Sequence, residues 1–293
     1  MKIQDLSIGE LNLEQTGFQA TQLARAVEII KTMKLKKATI FLSFTSNMVA
    51  SGLRGIFAEL CKRKFVDVII TAGGSLDHDL TRCYKNYEIG DFFMDDVQLH
   101  KKGINRLGNI LISNNCYVEL EKRLKPILER KKDKLVSPSE LAFDIGKSLN
   151  EKAGKNSFLY WAARNGIPVF CPGITDSAIG LQTYFFKQQH KGFGIDVTGD
   201  MQRLASRVLN AEKTGGIILG GGISKHHTIG ANILRGGLDY AVYITTSTPF
   251  DGSLSGARTQ EAISWGKLQE RSRYVTVDCD ATIAVPLIIS KVI

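Results

Sequence analysis

The stretch that decides the fold is GGIILGGG, Gly215–Gly222, in which a short apolar run ends in three consecutive glycines. The run is too short for a typical helix and predicts a buried strand, followed by a tight turn into the helix-like segment Thr228–Leu234. Glycines also let a phosphate approach the backbone at a helix N-terminus. Lys225 stands where G-x-G-x-x-G has its third glycine, so a simple turn and a phosphate site remain open alternatives.

Similar apolar runs recur along the chain and alternate with helix-compatible segments. Such alternation predicts an α/β fold with a Rossmann-like parallel sheet, covered by helices on both faces, in a single large domain. The predicted strands are Ala38–Phe44, Val66–Thr71, Pro168–Phe170, Gly215–Leu219, Tyr240–Thr245 and Tyr274–Val277. The predicted helices include Val49–Lys64, Ser139–Gly154, Ser157–Asn165, Met201–Ala211 and Thr259–Gly266. Helical spacing of apolar residues before the first strand predicts an N-terminal helical segment over residues 1–37, with the catalytic domain over 38–293.

Small polar or glycine-rich turns follow five of the predicted strands. In a parallel sheet the ligand crevice lies beyond the carboxyl ends of the strands, so these turns predict a cofactor cradle at one edge. The turns are Thr45–Asn47, Thr71–Gly74, Thr175–Asp176, Gly220–Gly222 and Thr246–Ser247.

Composition narrows the class of protein. The 293 residues carry a formal net charge of +9, and no apolar run is long enough to span a bilayer. The first twenty residues contain acids and no apolar core, unlike a signal peptide, so we expect a cytoplasmic protein. Five scattered cysteines without C-x-x-C spacing indicate reduced thiols and no metal site. The basic run Arg123–Lys134 lacks interleaved aromatics, which argues against nucleic-acid binding.

Several polar residues near these turns have both a structural and a functional interpretation. Asp77, His78 and Asp176 follow predicted strands, where an acid most often caps a helix, although it could also contact a ribose or a cationic substrate. The Lys225–His227 cluster could be an acid/base site, but no third ligand at suitable spacing supports zinc. In the segment Phe250–Gln269, the position of Lys267 alone predicts an exposed base at a helix C-terminus.

Seven blocks in order along the chain resemble the deoxyhypusine synthase family, in a compact form similar to its archaeal members. The resemblance extends from about Thr45 to Ala281. The blocks are TSNMVASGLRG, TAGGSLDHDL, INRLGN, YWAARNGIPVFCPGITD, GGGISKHH, DYAVYITTSTPFDGSLSGAR and EAISWGK.

This resemblance implies an enzyme that uses NAD to cleave spermidine and transfers its 4-aminobutyl group to one lysine of a hypusine-bearing translation factor. It implies a homotetramer with active sites between paired subunits. From composition and the basic run, we expect no nucleic-acid or membrane partner. Lys267 would carry a covalent imine, which requires a neutral amine, and His226 would contact the polyamine and shuttle a proton. Trp265 would line the polyamine tunnel and Glu261 would hold an amine. The implied NAD contacts are Ser46, Asn47, Thr71, Ala72, Gly73, Asp176, Gly221, Thr246, Ser247, Asp251, Asp280 and Ala281.

Three departures from the eukaryotic pattern concern the donor amine. Leu181 and Leu254 stand where family aspartates serve the polyamine, and either Asp77 or His78 replaces an acidic pair. A dication in a partly dry tunnel needs carboxylates at the depth of its charges. The donor could therefore be spermidine, agmatine or another aminoalkyl amine. Homospermidine synthesis with a free diamine as acceptor, and a catalytically silent NAD-binding partner subunit, remain alternatives.

Overall fold

A computed structural model describes residues 3–8 and 12–293 of the chain. Predictions that concern residues 1–2 and 9–11, in the N-terminal segment, lie outside the described residues. The strands are β1 (Thr39–Phe44), β2 (Val68–Thr71), β3 (Glu88–Ile89), β4 (Ile104–Leu107), β5 (Ile110–Ser113), β6 (Leu135–Val136), β7 (Val169–Phe170), β8 (Gly194–Ile195), β9 (Thr214–Leu219), β10 (Leu238–Thr245) and β11 (Leu268–Asp278). The helices are α1 (Leu13–Thr16), α2 (Phe18–Leu35), α3 (Ser46–Ala50), α4 (Leu53–Lys62), α5 (Gly73–Thr81), α6 (Asp96–Lys101), α7 (Asn115–Glu129), α8 (Pro138–Ser148), α9 (Glu151–Gly154), α10 (Phe158–Asn165), α11 (Ala178–Gln189), α12 (Gly199–Leu209), α13 (Gly222–Ala231), α14 (Glu261–Ser264) and α15 (Ala281–Val292).

The chain divides into two compact units. The first comprises Met1–Phe44, Val66–Ile70 and Arg203–Ile293, and the second comprises Thr45–Phe65 and Thr71–Gln202. The predicted boundary between residues 37 and 38 stays a prediction.

The first unit is built on strands in the order β11-β10-β9-β1-β2. Strand β9 pairs in parallel with both β1 and β10, and β10 pairs in parallel with β11. The paired residues Phe44 and Leu219, and Thr245 and Asp278, bring the carboxyl ends of four strands to one edge. All six residues of β9 are buried, as expected for the middle of a parallel sheet covered by helices.

Helices α2, α13 and α15 pack against this sheet. Helix α2 contacts β9, β10 and β11, while α13 contacts β1 and β9 and α15 contacts α2 and β10. The buried residues of α2 recur at helical spacing, for example Ala26, Ile30 and Met33, each with no exposed surface. The predicted parallel α/β fold is confirmed.

The second unit is mainly helical. Helix α10 packs on α4 and α8, and α5 packs on α3 and α11. A buried ion pair between Arg54 of α4 and Asp79 of α5, at 2.7 Å, ties two of these helices together. Two small sheets complete the unit, one antiparallel in the order β3-β5-β4 and one formed by β6 and β8.

Several predicted element boundaries were wrong. The helix predicted over Val49–Lys64 is two helices, because Ser51 ends α3 and its Oγ accepts a hydrogen bond from the Leu53 amide. The strand predicted over Tyr274–Val277 runs from Leu268 to Asp278. The helix predicted over Thr259–Gly266 is the single turn α14. In the described part of the chain, we find no helix with the length and apolar character needed to cross a bilayer.

Candidate active site

A cavity of about 290 Å³ lies in the first unit, between α13, the end of β10, the segment that follows β10, and α14. Its walls combine cationic, aromatic and apolar side chains, so a long amine with an aliphatic middle would find both polar and apolar contacts. The lining residues are Lys225, His226, Ile229, Tyr243, Gly252, Leu254, Ala257, Arg258, Glu261, Ala262, Trp265 and Lys267.

Lys267 lies in this cavity because of a turn that ends α14. Gly266 has φ +64°, and the Lys267 amide donates to the Ala262 carbonyl at 2.9 Å, so the chain reverses directly after the helix. The Lys267 carbonyl accepts from the Leu238 amide at 3.0 Å, which fixes the backbone to the neighbouring strand. The side chain of Lys267 is only 8% exposed. The interpretation of Lys267 as an exposed base was therefore wrong.

Glu261, in α14, and Trp265, directly after it, precede Lys267 in the chain and line the same cavity. The Nζ atom of Lys267 lies 5.0 Å from the centre of the Trp265 ring, while the ring itself is 65% exposed. Glu261 is the first residue of α14 and is exposed at the cavity. A carboxylate, an indole face and an amine thus surround one space, which suits the binding of a cationic amine.

His226 and Lys225 enter the cavity from α13, but they differ in exposure. His226 is exposed, whereas Lys225 is 1% exposed. The Lys225 Nζ donates to the Ala257 carbonyl at 2.8 Å and lies 4.5 Å from the centre of the Tyr243 ring. Burial lowers the pKa of Lys225 to about 8; Glu261 opposes this shift, and Arg258 and Lys267 add to it.

Tyr243 contributes a buried hydroxyl to the same cavity. The residue is 1% exposed, and among the described residues its Oη has no hydrogen-bond partner. Burial raises the pKa of Tyr243, so the phenol stays protonated at neutral pH. A buried hydroxyl without a partner is costly unless a ligand or water satisfies it.

The first unit holds half of the residues predicted to bind NAD, and most of them lie at the carboxyl edge of its sheet. Gly221 approaches Ser255 so closely that a Cβ at position 221 would lie 2.2 Å from the Ser255 Oγ. The space that glycine leaves at position 221 is therefore occupied by Ser255 of the same chain. Thr246 and Ser247 follow β10, Asp280 caps α15 through the Thr282 amide at 2.7 Å, and Ala281 begins that helix. Asp251 is exposed and accepts from the Ser253 amide at 2.8 Å.

The second unit holds the other half. A Cβ at Gly73 would lie 2.6 Å from the Ser177 Cβ, and one at Gly74 would lie 2.9 Å from the Ser46 Cβ. The first residues of α5, Gly73 and Gly74, therefore lie close to Ser177, which follows Asp176, and to Ser46, which precedes Asn47. Thr71 is buried, with its Oγ1 2.6 Å from the Ser75 Oγ, and Ala72 precedes α5 as its N-cap. The structure brings together within this unit the residues Ser46, Asn47, Thr71, Ala72, Gly73 and Asp176.

Asp77 and His78 lie inside α5 and do not cap it. The Asp77 carboxylate accepts from the Ala178 and Ile179 amides at 2.8 and 2.9 Å, so it caps α11, and burial raises its pKa to about 6. Burial, aided by Arg82, lowers the pKa of His78 to about 4, and its Nδ1 lies 2.8 Å from the Tyr87 Oη. Asp176 is exposed; the side chain at the N-cap of α11 is that of Ser177.

Comparison with known proteins decides the family. Residues 11–292 match the model of the deoxyhypusine synthase family. The chain belongs to the deoxyhypusine synthase family. It is 44% identical over 94% of its length to a Pyrococcus furiosus protein named "Probable deoxyhypusine synthase", of which 87% is covered. A Thermoplasma acidophilum protein of the same name is 47% identical, with 94% and 88% covered. A crystal structure from Entamoeba histolytica, assigned to deoxyhypusine synthase, matches with a TM-score of 0.70, 26% identity, and 99% and 96% covered.

Membership of this family agrees with the resemblance drawn from the seven sequence blocks and places the chain among transferases. The two leucines that depart from the eukaryotic pattern occupy different surroundings. Leu254 lines the cavity and packs against a core cluster around Tyr243 and Ile229. Leu181 lies on α11 in the second unit and is 52% exposed.

Three polar residues of the cavity, Lys225, Tyr243 and Arg258, were not predicted as site residues from the sequence. Tyr243 is an ordinary strand aromatic by its position, and Arg258 follows a glycine-rich turn. Lys225 was grouped with the two histidines as a possible acid/base cluster, but a basic residue near a turn usually indicates a solvated surface. Its burial depends on the Ala257 carbonyl and the Tyr243 ring, which are distant in sequence. No group of three metal-binding side chains occurs among residues 3–8 and 12–293.

Proposed function

We propose that the chain transfers a 4-aminobutyl group from spermidine to one lysine of a hypusine-bearing translation factor, using NAD and an imine on Lys267. The observation that carries this proposal is the position of Lys267, a lysine that is 8% exposed in a cavity shared with Glu261 and Trp265. The amine of Lys267 is a group that can form an imine with the oxidised carbon of a donor amine.

The residues divide the work of the reaction. Glu261 binds the ammonium of the donor, and Trp265 covers the donor and Lys267. NAD, held by the residues assigned to it below, would supply reversible hydride transfer at the donor carbon beside the nitrogen. The Lys267 Nζ forms a bond to that carbon, the bond to the departing amine breaks, and the acceptor lysine later replaces Lys267. Exclusion of water at the buried Lys267 limits hydrolysis of the imine.

Within each unit, taken by itself, some of the residues predicted to contact NAD are suited to part of a dinucleotide. In the first unit α13, a helix of 10 residues, begins just after Gly220 and Gly221, and in the second unit α5 begins at Gly73. Amides at helix N-termini bind phosphate oxygens. The exposed carboxylates of Asp176 and Asp280 are suited to ribose hydroxyls. We assign the NAD contacts to these residues and to the others predicted above.

The identity of the donor depends on the number of carboxylates. Glu261 is the only carboxylate among the described residues that line the cavity, and Leu254 presents an apolar wall. This favours a second candidate donor, agmatine or a related amine, because agmatine carries two cationic groups where spermidine carries three, and Glu261 would bind its ammonium. The Tyr243 hydroxyl offers a neutral hydrogen-bond partner for the other end of either donor.

The decisive experiment incubates the enzyme with NAD, labelled spermidine or labelled agmatine, and the cognate translation factor, followed by mass analysis of the factor. A mass increase of one aminobutyl group from spermidine supports the proposal, whereas a label from agmatine alone supports the second donor. Transfer to free putrescine without transfer to the factor would instead identify a homospermidine-type enzyme. Borohydride trapping of label on Lys267 separates an active enzyme from a silent NAD-binding subunit, which should trap nothing.

We further expect a homotetramer in the cytoplasm. Light scattering after gel filtration measures the number of subunits. A second experiment mixes two inactive variants, one altered in the first unit of the chain and one in the second. Restored activity would show that the site spans two subunits.

A further inference from the structure

Lys225 is a buried cationic residue for which the reaction above gives no role. Its side chain is 1% exposed, and it lines the same cavity as Lys267. The Nζ donates to the Ala257 carbonyl at 2.8 Å and lies over the ring of Tyr243. A purely structural role would be to hold the segment that carries Ala257 against α13. A neutral amine donates that hydrogen bond as well as an ammonium does, so this contact does not require a fixed charge.

The surroundings of Lys225 leave its two protonation states close in free energy near neutral pH. Burial disfavours the charged form, whereas the Tyr243 ring favours it. The charged groups that face it come from several elements: Glu261 from α14 favours the proton, while Arg258 and Lys267 disfavour it. Together these effects give Lys225 a lowered pKa of about 8, a value suited to a group that both accepts and releases a proton.

Lys225 and Lys267 line one cavity, and a positive charge on Lys267 disfavours a proton on Lys225. His226, the other titratable residue of α13 that lines the cavity, is exposed and therefore open to water. Lys225 can instead keep a proton inside the site.

We propose that Lys225 accepts the proton that Lys267 must lose before it attacks the oxidised donor, directly or through one water, and later gives it to the departing amine. This role rests on the imine at Lys267 proposed above. One N–H bond of Lys267 breaks and one forms on Lys225, with no change of oxidation state. The freed lone pair of Lys267 then forms the bond to carbon. When the bond between that carbon and the departing nitrogen breaks, the proton of Lys225 passes to that nitrogen.

The test measures the rate of borohydride-trappable imine formation from labelled donor between pH 6 and pH 10. Wild-type enzyme should show an acid limb with its midpoint near pH 8. Lys225→Met keeps the length of the side chain but cannot accept a proton. At pH 7.5 it should be slower by roughly 100-fold, within the range typical of a lost general base. Its midpoint should move upward by about one pH unit or more, and its rate should approach wild type near pH 10.

Two further variants separate the roles. Lys225→Gln retains a donor for the Ala257 carbonyl and should behave like Lys225→Met, so it carries the test if the methionine variant fails to fold. Lys225→Arg remains charged over this pH range and cannot accept a proton, so it should also be slow at pH 7.5. Full activity of Lys225→Arg would overturn the proposal in favour of a fixed charge.

The remaining outcomes are also decisive. An equal loss of rate at every pH in both Lys225→Met and Lys225→Gln would overturn the proposal and leave a structural role. If wild-type enzyme itself traps no label on Lys267, the proposed function fails first. If wild type traps label on Lys267 but the pH profiles of the Lys225 variants are not shifted, only the proposed role of Lys225 is refuted.

Discussion

The Nζ atom of Lys267 lies 5.0 Å from the centre of the Trp265 ring, although only Gly266 separates the two residues. The positive φ of Gly266 reverses the chain between them, so that both side chains face one cavity. A side chain other than hydrogen at position 266 would be strained in this conformation. The order Trp-Gly-Lys therefore places an amine against an aromatic face, which is the arrangement on which the proposed imine chemistry depends.

Replacement of Lys267 by alanine should abolish both trapping of label and aminobutyl transfer, because in the proposed reaction its amine supplies the imine nitrogen. The predicted NAD contacts do not include Lys267, so the dissociation constant for NAD should change by no more than about threefold, or less than about 1 kcal/mol. Borohydride trapping and a fluorescence titration with NAD measure the two effects. Lys291→Ala, which removes an exposed lysine of α15, is the matched control and should retain activity. Continued transfer by Lys267→Ala would contradict the assignment.

The parallel sheet could be predicted from sequence because its central strands are continuous apolar runs. Strand β11 shows where this signal ends. Residues Gln269–Arg273 are polar or charged and largely exposed, yet they continue a strand whose backbone pairs with β10. Backbone hydrogen bonding does not depend on the hydropathy of the side chains, so only the apolar part of the strand, Tyr274–Val277, was predicted. The break between α3 and α4 was missed for a similar reason, because Ser51 ends the helix through local hydrogen bonds.

The candidate site was predicted unevenly. Lys267, Trp265, Glu261 and His226 came from one resemblance to known sequence blocks, and all four line one cavity. The sequence placed Lys225 in a possible acid/base cluster, but its burial and lowered pKa could not be predicted, because the free energy of a buried amine depends on groups brought together only by folding. Asp77 illustrates the converse: its place after a strand indicated a site or a local cap, whereas its carboxylate caps α11, about 100 residues further along the chain.

Replacement of Leu254 by aspartate should raise the preference for spermidine, which carries three cationic nitrogens at neutral pH, over agmatine, which carries two cationic groups. The new carboxylate would line the cavity in place of the apolar Leu254 side chain, and one charged hydrogen bond contributes roughly 1.5–3 kcal/mol. We therefore expect the KM for spermidine to fall about 10-fold relative to agmatine. Steady-state kinetics with each donor measures the ratio. Leu254→Asn is the uncharged control, and an equal change in both variants would show that charge is not the cause.

Replacement of Asp79 by asparagine should strongly destabilise the fold. Arg54 and Asp79 form a 2.7 Å pair whose side chains are 6% and 0% exposed, and Asp79 also accepts from the Ser157 hydroxyl and the Leu159 amide. Removing one partner leaves a buried charge, which costs about 3–5 kcal/mol. Urea denaturation at fixed protein concentration measures the free energy of unfolding. Glu59→Gln breaks an exposed pair with Arg63 and should cost less than about 1 kcal/mol. Similar losses in both variants would contradict this prediction.

Acid should destabilise the protein partly through His78. Burial lowers the pKa of His78 from 6.5 to about 4, so the unfolded chain binds a proton before the folded chain does. The stability that this residue contributes is therefore complete above pH 6.5 and is lost as the pH falls toward 4, amounting to roughly 3 kcal/mol at most. Asp77 acts in the opposite direction. Its pKa is raised from 3.8 to about 6, so its contribution is present below pH 3.8 and is lost as the pH rises through 6.

His78→Phe should therefore remove the loss of stability in acid that His78 causes and leave the opposite contribution of Asp77. Between pH 6.5 and pH 4.5 the unfolding free energy of this variant should fall less than that of wild type, or even rise. Urea denaturation at several pH values measures the slope, and His100→Phe, at an exposed position on α6, is the control that should keep the wild-type slope. The aromatic ring of Phe preserves the packing beside Tyr87 while removing the titrating nitrogen, so a slope unchanged by His78→Phe would mean that His78 is not the group that resists protonation in the fold.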